Sequence, residues 1–156
     1  YAALAGLGLA VGDGRPARPL AGLASTGGAV STTGQMRAQF ERVTDATGLA
    51  NALAAAKDRG HPALVDVYAD WCVECVQMKN GLFQQPDVRA ALDDVAAIEL
   101  DITAYTKEQR ALLAELDVFG PPTVLFYMPN GRARDDLKSV GALGEDALVT
   151  RLTEIK

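Results

Sequence analysis

Val65-Asp66-Val67-Tyr68-Ala69-Asp70-Trp71-Cys72-Val73-Glu74-Cys75 is the stretch whose reading decides the fold. It contains both cysteines of the chain and its single tryptophan. Its first half lies in an apolar run, Ala63 to Ala69, whose length reads as a buried strand. After Cys72 the pattern changes to helical period, with Cys75, Met78 and Leu82 on one face and Val76 and Phe83 beside it. Both cysteines therefore fall at a strand-to-helix junction. The free N–H groups and partial positive charge of a helix N-terminus favour a thiolate at such a place. Cys72 is expected to be the exposed sulfur, at least in part. Cys75, one turn on, is expected to face inward, so that one thiol can attack and the other resolve.

Working outward, Thr47 to Arg59 predicts a helix, with Thr47 as its cap, Leu49 and Leu53 on one face and Gly60 with Pro62 at its end. Phe40 to Val43 reads as a short first strand. Downstream, the cysteine helix is expected to reach about Phe83. Pro86-Asp87 breaks it, and Val88 to Leu92 adds one turn. Ala96 to Ile102 reads as a second buried strand. Thr106-x-x-Gln109 is a capping box opening a helix with Leu112, Leu113 and Leu116 toward the core. Thr123 to Tyr127 is a strand, Pro129-Asn130-Gly131 a turn and Leu137 to Val140 the returning strand. Glu145 to Ile155 closes the chain as a helix with Leu148, Leu152 and Ile155 inward. The order β-α-β-α-β-α-β-β-α predicts an α/β fold whose central sheet is mostly parallel, mixed by the terminal hairpin and covered by helices.

The 156 residues hold one ordinary domain and a tail, and 49% apolar with 22% charged residues is a globular balance. The net charge of −5 argues against a nucleic-acid partner. Residues 1–11 (YAALAGLGLAV) are apolar but shorter than the roughly 20 residues that span a bilayer. They read either as a disordered tail or as the end of a transmembrane helix. Residues 12–36 are rich in Gly, Ala, Ser, Thr and Pro and read as a flexible linker, which puts the folded domain at 37–156. A chain that starts at Tyr1 rather than Met reads as a fragment or a processed product.

A lone C-x-x-C is weak evidence of chemistry, because it is also half of a zinc site. Zinc needs about four ligands, and His61 is the only other soft ligand in the chain. No metal site is therefore expected. At the junction of a βαβ pattern, the same spacing reads as a thioredoxin-like redox pair. Asp66 interrupts the apolar strand on the face of Leu64 and Tyr68, and burial would raise its pKa. It is read either as a proton acceptor and donor for the cysteines or as a strand residue turned to solvent or a loop. Pro121-Pro122 precedes a strand, where an X-Pro bond is a candidate cis peptide or a simple stiffener.

Tyr68-Ala69-Asp70-Trp71-Cys72-Val73-Glu74-Cys75 resembles the C-terminal thioredoxin-like domain of the DsbD family of thiol:disulfide interchange proteins. The likeness runs from about Phe40 to the C-terminus and includes Asp66, Phe83-x-x-Pro86 and Pro122-Thr123. It implies a thioredoxin-like fold with Pro122 cis beside the cysteines, and substrate contacts at Trp71, Pro121 and Pro122. It implies a protein-disulfide reductase domain on the periplasmic side of the bacterial inner membrane, with no bound cofactor beyond the Cys72–Cys75 disulfide. Electrons would come from a membrane-embedded domain and pass to an N-terminal immunoglobulin-like domain of the same protein, then to periplasmic disulfide isomerases and reductases. Residues 1–11 would then end the last membrane helix. A reductase of another periplasmic pathway, such as cytochrome c maturation, and a non-catalytic interaction module remain alternatives.

The sequence departs from this family at Lys79, where an acidic residue is expected on the helix seven positions after the first cysteine. Glu74 is the candidate to supply negative charge in its place. Lys79 and Glu74 are thus the expected pKa-tuning residues. A carboxylate close behind the sulfurs is expected to outweigh the helix N-terminus and leave Cys72 less acidic than a typical thioredoxin nucleophile, whose pKa is about 7.

Overall fold

The computed structural model describes residues 38–156, so the tail and linker expected over 1–11 and 12–36 lie outside the described residues. Ten helices and strands follow in the expected order. They are β1 (Glu41–Val43), α1 (Ala46–Asp58), β2 (Ala63–Tyr68), α2 (Val73–Asn80), α3 (Pro86–Ala91), β3 (Ala96–Asp101), α4 (Lys107–Glu115), β4 (Thr123–Tyr127), β5 (Ser139–Val140) and α5 (Glu145–Glu154). Among the described residues, no helix is long and apolar enough to cross a membrane.

The sheet order is β1-β3-β2-β4-β5. β1, β3 and β2 run parallel, and β4 and β5 pair antiparallel to their neighbours. All six residues of β2 are buried, as its apolar run requires of a central strand. Alternation along β2 then divides the core in two. Val65 and Val67 pack with Leu49, Ala52 and Ala56 of α1 and with Leu112 and Leu113 of α4. Leu64 packs on the other face with Met78 of α2, Val88 of α3 and Leu148 and Leu152 of α5. Each such side chain contributes about 1.5–3 kcal/mol by leaving water. Asp66 shares the face of Leu64, so it lies under α2 rather than toward solvent.

Two local expectations are corrected. Asp45, not Thr47, caps α1: its side chain accepts a hydrogen bond from the Gly48 N–H at 2.7 Å. An aspartate two residues upstream satisfies an early free N–H of the helix and starts it sooner. The cysteine helix ends at Asn80, not near Phe83, and a 3₁₀ turn, Leu82–Gln84, follows. Gly81 permits that break, because an added Cβ would come within 2.9 Å of the Gln77 carbonyl oxygen. Pro86 then starts α3 at its first turn, where a missing N–H costs nothing. The capping box of Thr106 and Gln109 is formed as expected.

Candidate active site

β2 delivers the chain into the turn Ala69–Cys72, and α2 begins at Val73 with Cys72 as its cap. Cys72 and Cys75 form a disulfide with Cα atoms 5.3 Å apart. The backbone N–H of Cys75 donates to Cys72 Sγ at 3.2 Å. The sulfur thus occupies the place of a capping oxygen, where the helix N-terminus stabilises negative charge. Cys72 keeps 8% of its surface exposed and Cys75 none. The expectation of a partly exposed Cys72 is thus corrected: both cysteines are buried in the disulfide, Cys75 the more completely. Cys75 Sγ lies 4.0 Å from the Val67 carbonyl oxygen, against the end of β2.

Three loops meet at this end of the sheet, because β3 runs parallel to β2 and β4 antiparallel. The β3–α4 loop fastens the cysteine turn: Asp70 N–H donates to Thr103 Oγ1 at 2.9 Å, and Trp71 Nε1 donates to the Thr103 carbonyl at 3.0 Å. Thr103 is itself fixed by Asp101, whose Oδ1 accepts from the Thr103 N–H at 2.9 Å. Tyr105, in the left-handed region at φ 47°, sets its ring edge-on to Trp71 at 6.0 Å. The third loop carries Pro121-Pro122. Their bond is cis, as expected, and the Pro122 carbonyl accepts from the Gly141 N–H at 2.9 Å. Thr123 pairs directly with Val67, which brings Pro122 to the Tyr68 end of β2. Trp71, Val73, Tyr105 and Phe119 keep large exposed apolar surfaces around this end.

Two residues before Tyr68 on β2, Asp66 is 1% exposed, and its Oδ1 is buried with no hydrogen-bond partner among the described residues. Burial pushes its pKa up to about 7, Glu99 adds to the rise, and Lys79 opposes it. Glu99 is the cross-strand partner of Asp66 and is itself 3% exposed. Its Oε1 takes Arg42 Nε at 2.8 Å and its Oε2 takes Lys79 Nζ at 2.7 Å. Arg42 also reaches Asp101 Oδ2 at 3.1 Å. Lys79 Nζ lies 4.4 Å from the centre of the Tyr68 ring, and the Tyr68 hydroxyl donates to Asp70 Oδ1 at 2.8 Å.

Of the expected pKa-tuning residues, Lys79 is therefore engaged with Glu99 and Tyr68. Glu74 is exposed, and the buried negative charge beside Asp66 comes from Glu99. Glu99 escaped the sequence reading although it carries the signal that singled out Asp66, an ionisable residue inside an apolar strand. Thr103 and Tyr105 gave no such signal, because their roles depend on the β3–α4 loop folding back over Trp71.

The arrangement holds two sulfurs that can break and remake one bond. A family model described as thioredoxin-like matches residues 44–129. The chain belongs to the thioredoxin-like family. Within it, the chain is 40% identical over 127 residues to the thiol:disulfide interchange protein DsbD of Ralstonia nicotianae, a match covering 80% of this chain and 20% of that protein. It is 34% identical over 154 residues to thiol:disulfide interchange protein DsbD 1 of Pseudomonas aeruginosa, covering 97% of this chain and 25% of that one. The oxidised C-terminal domain of DsbD from Neisseria meningitidis superposes with a TM-score of 0.62 at 29% identity, over 76% of this chain and 100% of that domain. The chain thus spans about a fifth to a quarter of the length of these curated relatives. With its paired sulfurs, this thioredoxin-like chain is a disulfide oxidoreductase domain.

Proposed function

We propose that the domain relays electrons by thiol–disulfide exchange within a DsbD-like membrane protein, on the periplasmic side of the bacterial inner membrane. The observation that carries this is the Cys72–Cys75 disulfide at the N-terminus of α2, with the buried Asp66 on the strand that leads into it. The likeness to DsbD proteins, about a fifth of whose length this chain matches, and to the C-terminal domain of the Neisseria meningitidis DsbD supports the setting.

In the reduced domain the Cys72 thiolate attacks one sulfur of a partner disulfide. A Cys72–partner bond forms, and the partner's other sulfur leaves as a thiolate with the bonding pair. The Cys75 thiol then gives its proton to the Asp66 carboxylate and attacks Cys72. The Cys72–Cys75 bond forms, the mixed disulfide breaks, and the departing thiolate is protonated from Asp66 or water. Two electrons have passed to the partner. The reverse sequence, begun by a cysteine of a membrane-embedded domain, reduces the Cys72–Cys75 bond again. The redox group is the disulfide itself, with no further cofactor.

Asp66 serves this cycle because a carboxyl with a pKa near neutrality can both accept and return a proton. Trp71, Tyr105 and the Pro121-Pro122 corner form the surface against which a partner's extended segment lies. The recipients are an immunoglobulin-like domain of the same protein and, through it, periplasmic disulfide isomerases and reductases.

The test is trapping in the full-length membrane protein. With Cys75→Ala, Cys72 is expected to become disulfide-linked to the amino-terminal domain of the same protein. Linkage to soluble cytochrome-maturation factors alone would assign the domain to a different pathway, and no linkage to any protein would leave it an interaction module.

A further inference from the structure

Four charged side chains from three elements meet on the α2 side of the sheet beside Asp66. β1 supplies Arg42, β3 supplies Glu99 and Asp101, and α2 supplies Lys79. β2 itself adds the phenol of Tyr68, over which Lys79 lies. β4 opposes Asp66 with Val124, which carries no charge. Glu99 is the member of this group directly across the ladder from Asp66. Its two oxygens are divided between two cations, so its carboxylate is held in one place.

The cations are not equally sheltered. The Lys79 side chain is 37% exposed and the Arg42 side chain 50%, against 3% for Glu99. Both cations and Glu99 line one cleft with Phe40, Asn80 and Gln84, open to solvent. Asp66 has no such opening. The negative charge therefore reaches Asp66 through a low-dielectric interior, while part of the compensating positive charge is screened by water.

We propose that the Lys79–Glu99 ion pair is a positioning device for the exchange reaction, acting on the cysteines only through Asp66. Glu99 presents a fixed negative charge that favours the acid form of Asp66, and Lys79 limits that charge. The balance keeps Asp66 able to accept the Cys75 proton when Cys75 attacks the mixed disulfide, and able to release it afterwards. A stronger negative charge would leave Asp66 already protonated and unable to accept. A weaker one would leave it too poor a base. This inference rests on Asp66 as the proton carrier of the exchange cycle.

The pair is tested by following the Asp66 carboxyl carbon by NMR against pH in the reduced chain, with Asp66→Asn identifying the signal. Glu99→Gln keeps the shape and removes the charge, and it is expected to lower the Asp66 midpoint by roughly one pH unit. Lys79→Gln is expected to raise it by a similar amount, and the double variant to fall between the two. A purely structural pair would move the unfolding midpoint in urea and leave the Asp66 titration where it was. That result overturns the proposal and leaves disulfide exchange itself untouched, since the latter is read separately from mixed-disulfide formation. Should Glu99→Gln fail to fold, Lys79→Gln decides alone: an upward shift supports the proposal and an unmoved midpoint refutes it.

Discussion

Asp66 and Glu99 face each other across the β2–β3 ladder with 1% and 3% of their surfaces exposed. Two carboxyl groups buried side by side are costly unless one is neutral or both are paired. Here Glu99 is paired and Asp66 is favoured in its neutral form. Glu99 holds Arg42 and Lys79, and Asp66, with an unpartnered oxygen, has its pKa pushed up to about 7.

Asp66 should leave a mark on stability against pH. Its carboxyl is held above its unfolded value, chiefly by burial. Below about pH 4 it is protonated in both states and costs nothing extra. As pH rises from there toward 7, the unfolded chain loses the proton first, so stability falls, and above about 7 the loss is complete. Three units correspond to on the order of 4 kcal/mol. Urea unfolding of the oxidised domain should show this decline, and Asp66→Asn should flatten it. A wild-type profile rising over that range would contradict the reading.

Reactivity of the reduced domain should follow the same carboxyl. Once ionised, Asp66 disfavours a thiolate nearby, so Asp66→Asn is expected to move the pH midpoint of Cys72 alkylation down by roughly half a unit or more. An unmoved profile would remove Asp66 from control of the thiols.

Lys79→Glu would set a new carboxylate where Glu99 now holds a cation at 2.7 Å. Loss of the pair and like-charge repulsion should destabilise the domain by about 1–3 kcal/mol, less than for a fully buried pair because Lys79 is partly solvated. Urea midpoints of the variant and wild type provide the comparison. Equal stability would mean that the pair contributes little.

Most of the architecture was legible locally. The capping box at Thr106 and Gln109, the apolar run of β2 and the inward faces of α4 and α5 each depend on neighbours within a turn or a strand. The Trp71-Cys72-x-x-Cys75 junction was legible for the same reason. The cap of α1 was misplaced because Asp45 and Thr47 are both competent caps, and only backbone geometry chooses between them. The pairing of Glu99 with Asp66 was not legible, since strand register joins residues 33 apart along the chain and no local pattern encodes it. The sequence reading placed Lys79 on the helix seven positions after Cys72, as a tuner of the cysteines. In the fold its long side chain reaches away, across the Tyr68 ring to Glu99.

The exposed rim should matter for protein partners and not for small thiols. Trp71 is 55% exposed and braced by Tyr105 and Thr103. Trp71→Ala is expected to slow exchange with a folded protein disulfide by roughly tenfold, as loss of an aromatic anchor does. Reduction by dithiothreitol should be essentially unchanged. Equal slowing of both would point to damage at the disulfide rather than a lost contact.

The central claim is that Cys72 attacks and Cys75 resolves. It is tested most directly by mixing reduced single-cysteine domains with oxidised glutathione and weighing the products by mass spectrometry. The Cys75→Ala domain is expected to accumulate a one-to-one mixed disulfide at Cys72, while Cys72→Ala, whose remaining sulfur is fully buried, should form it far more slowly. Faster capture at Cys75 than at Cys72 would contradict the account.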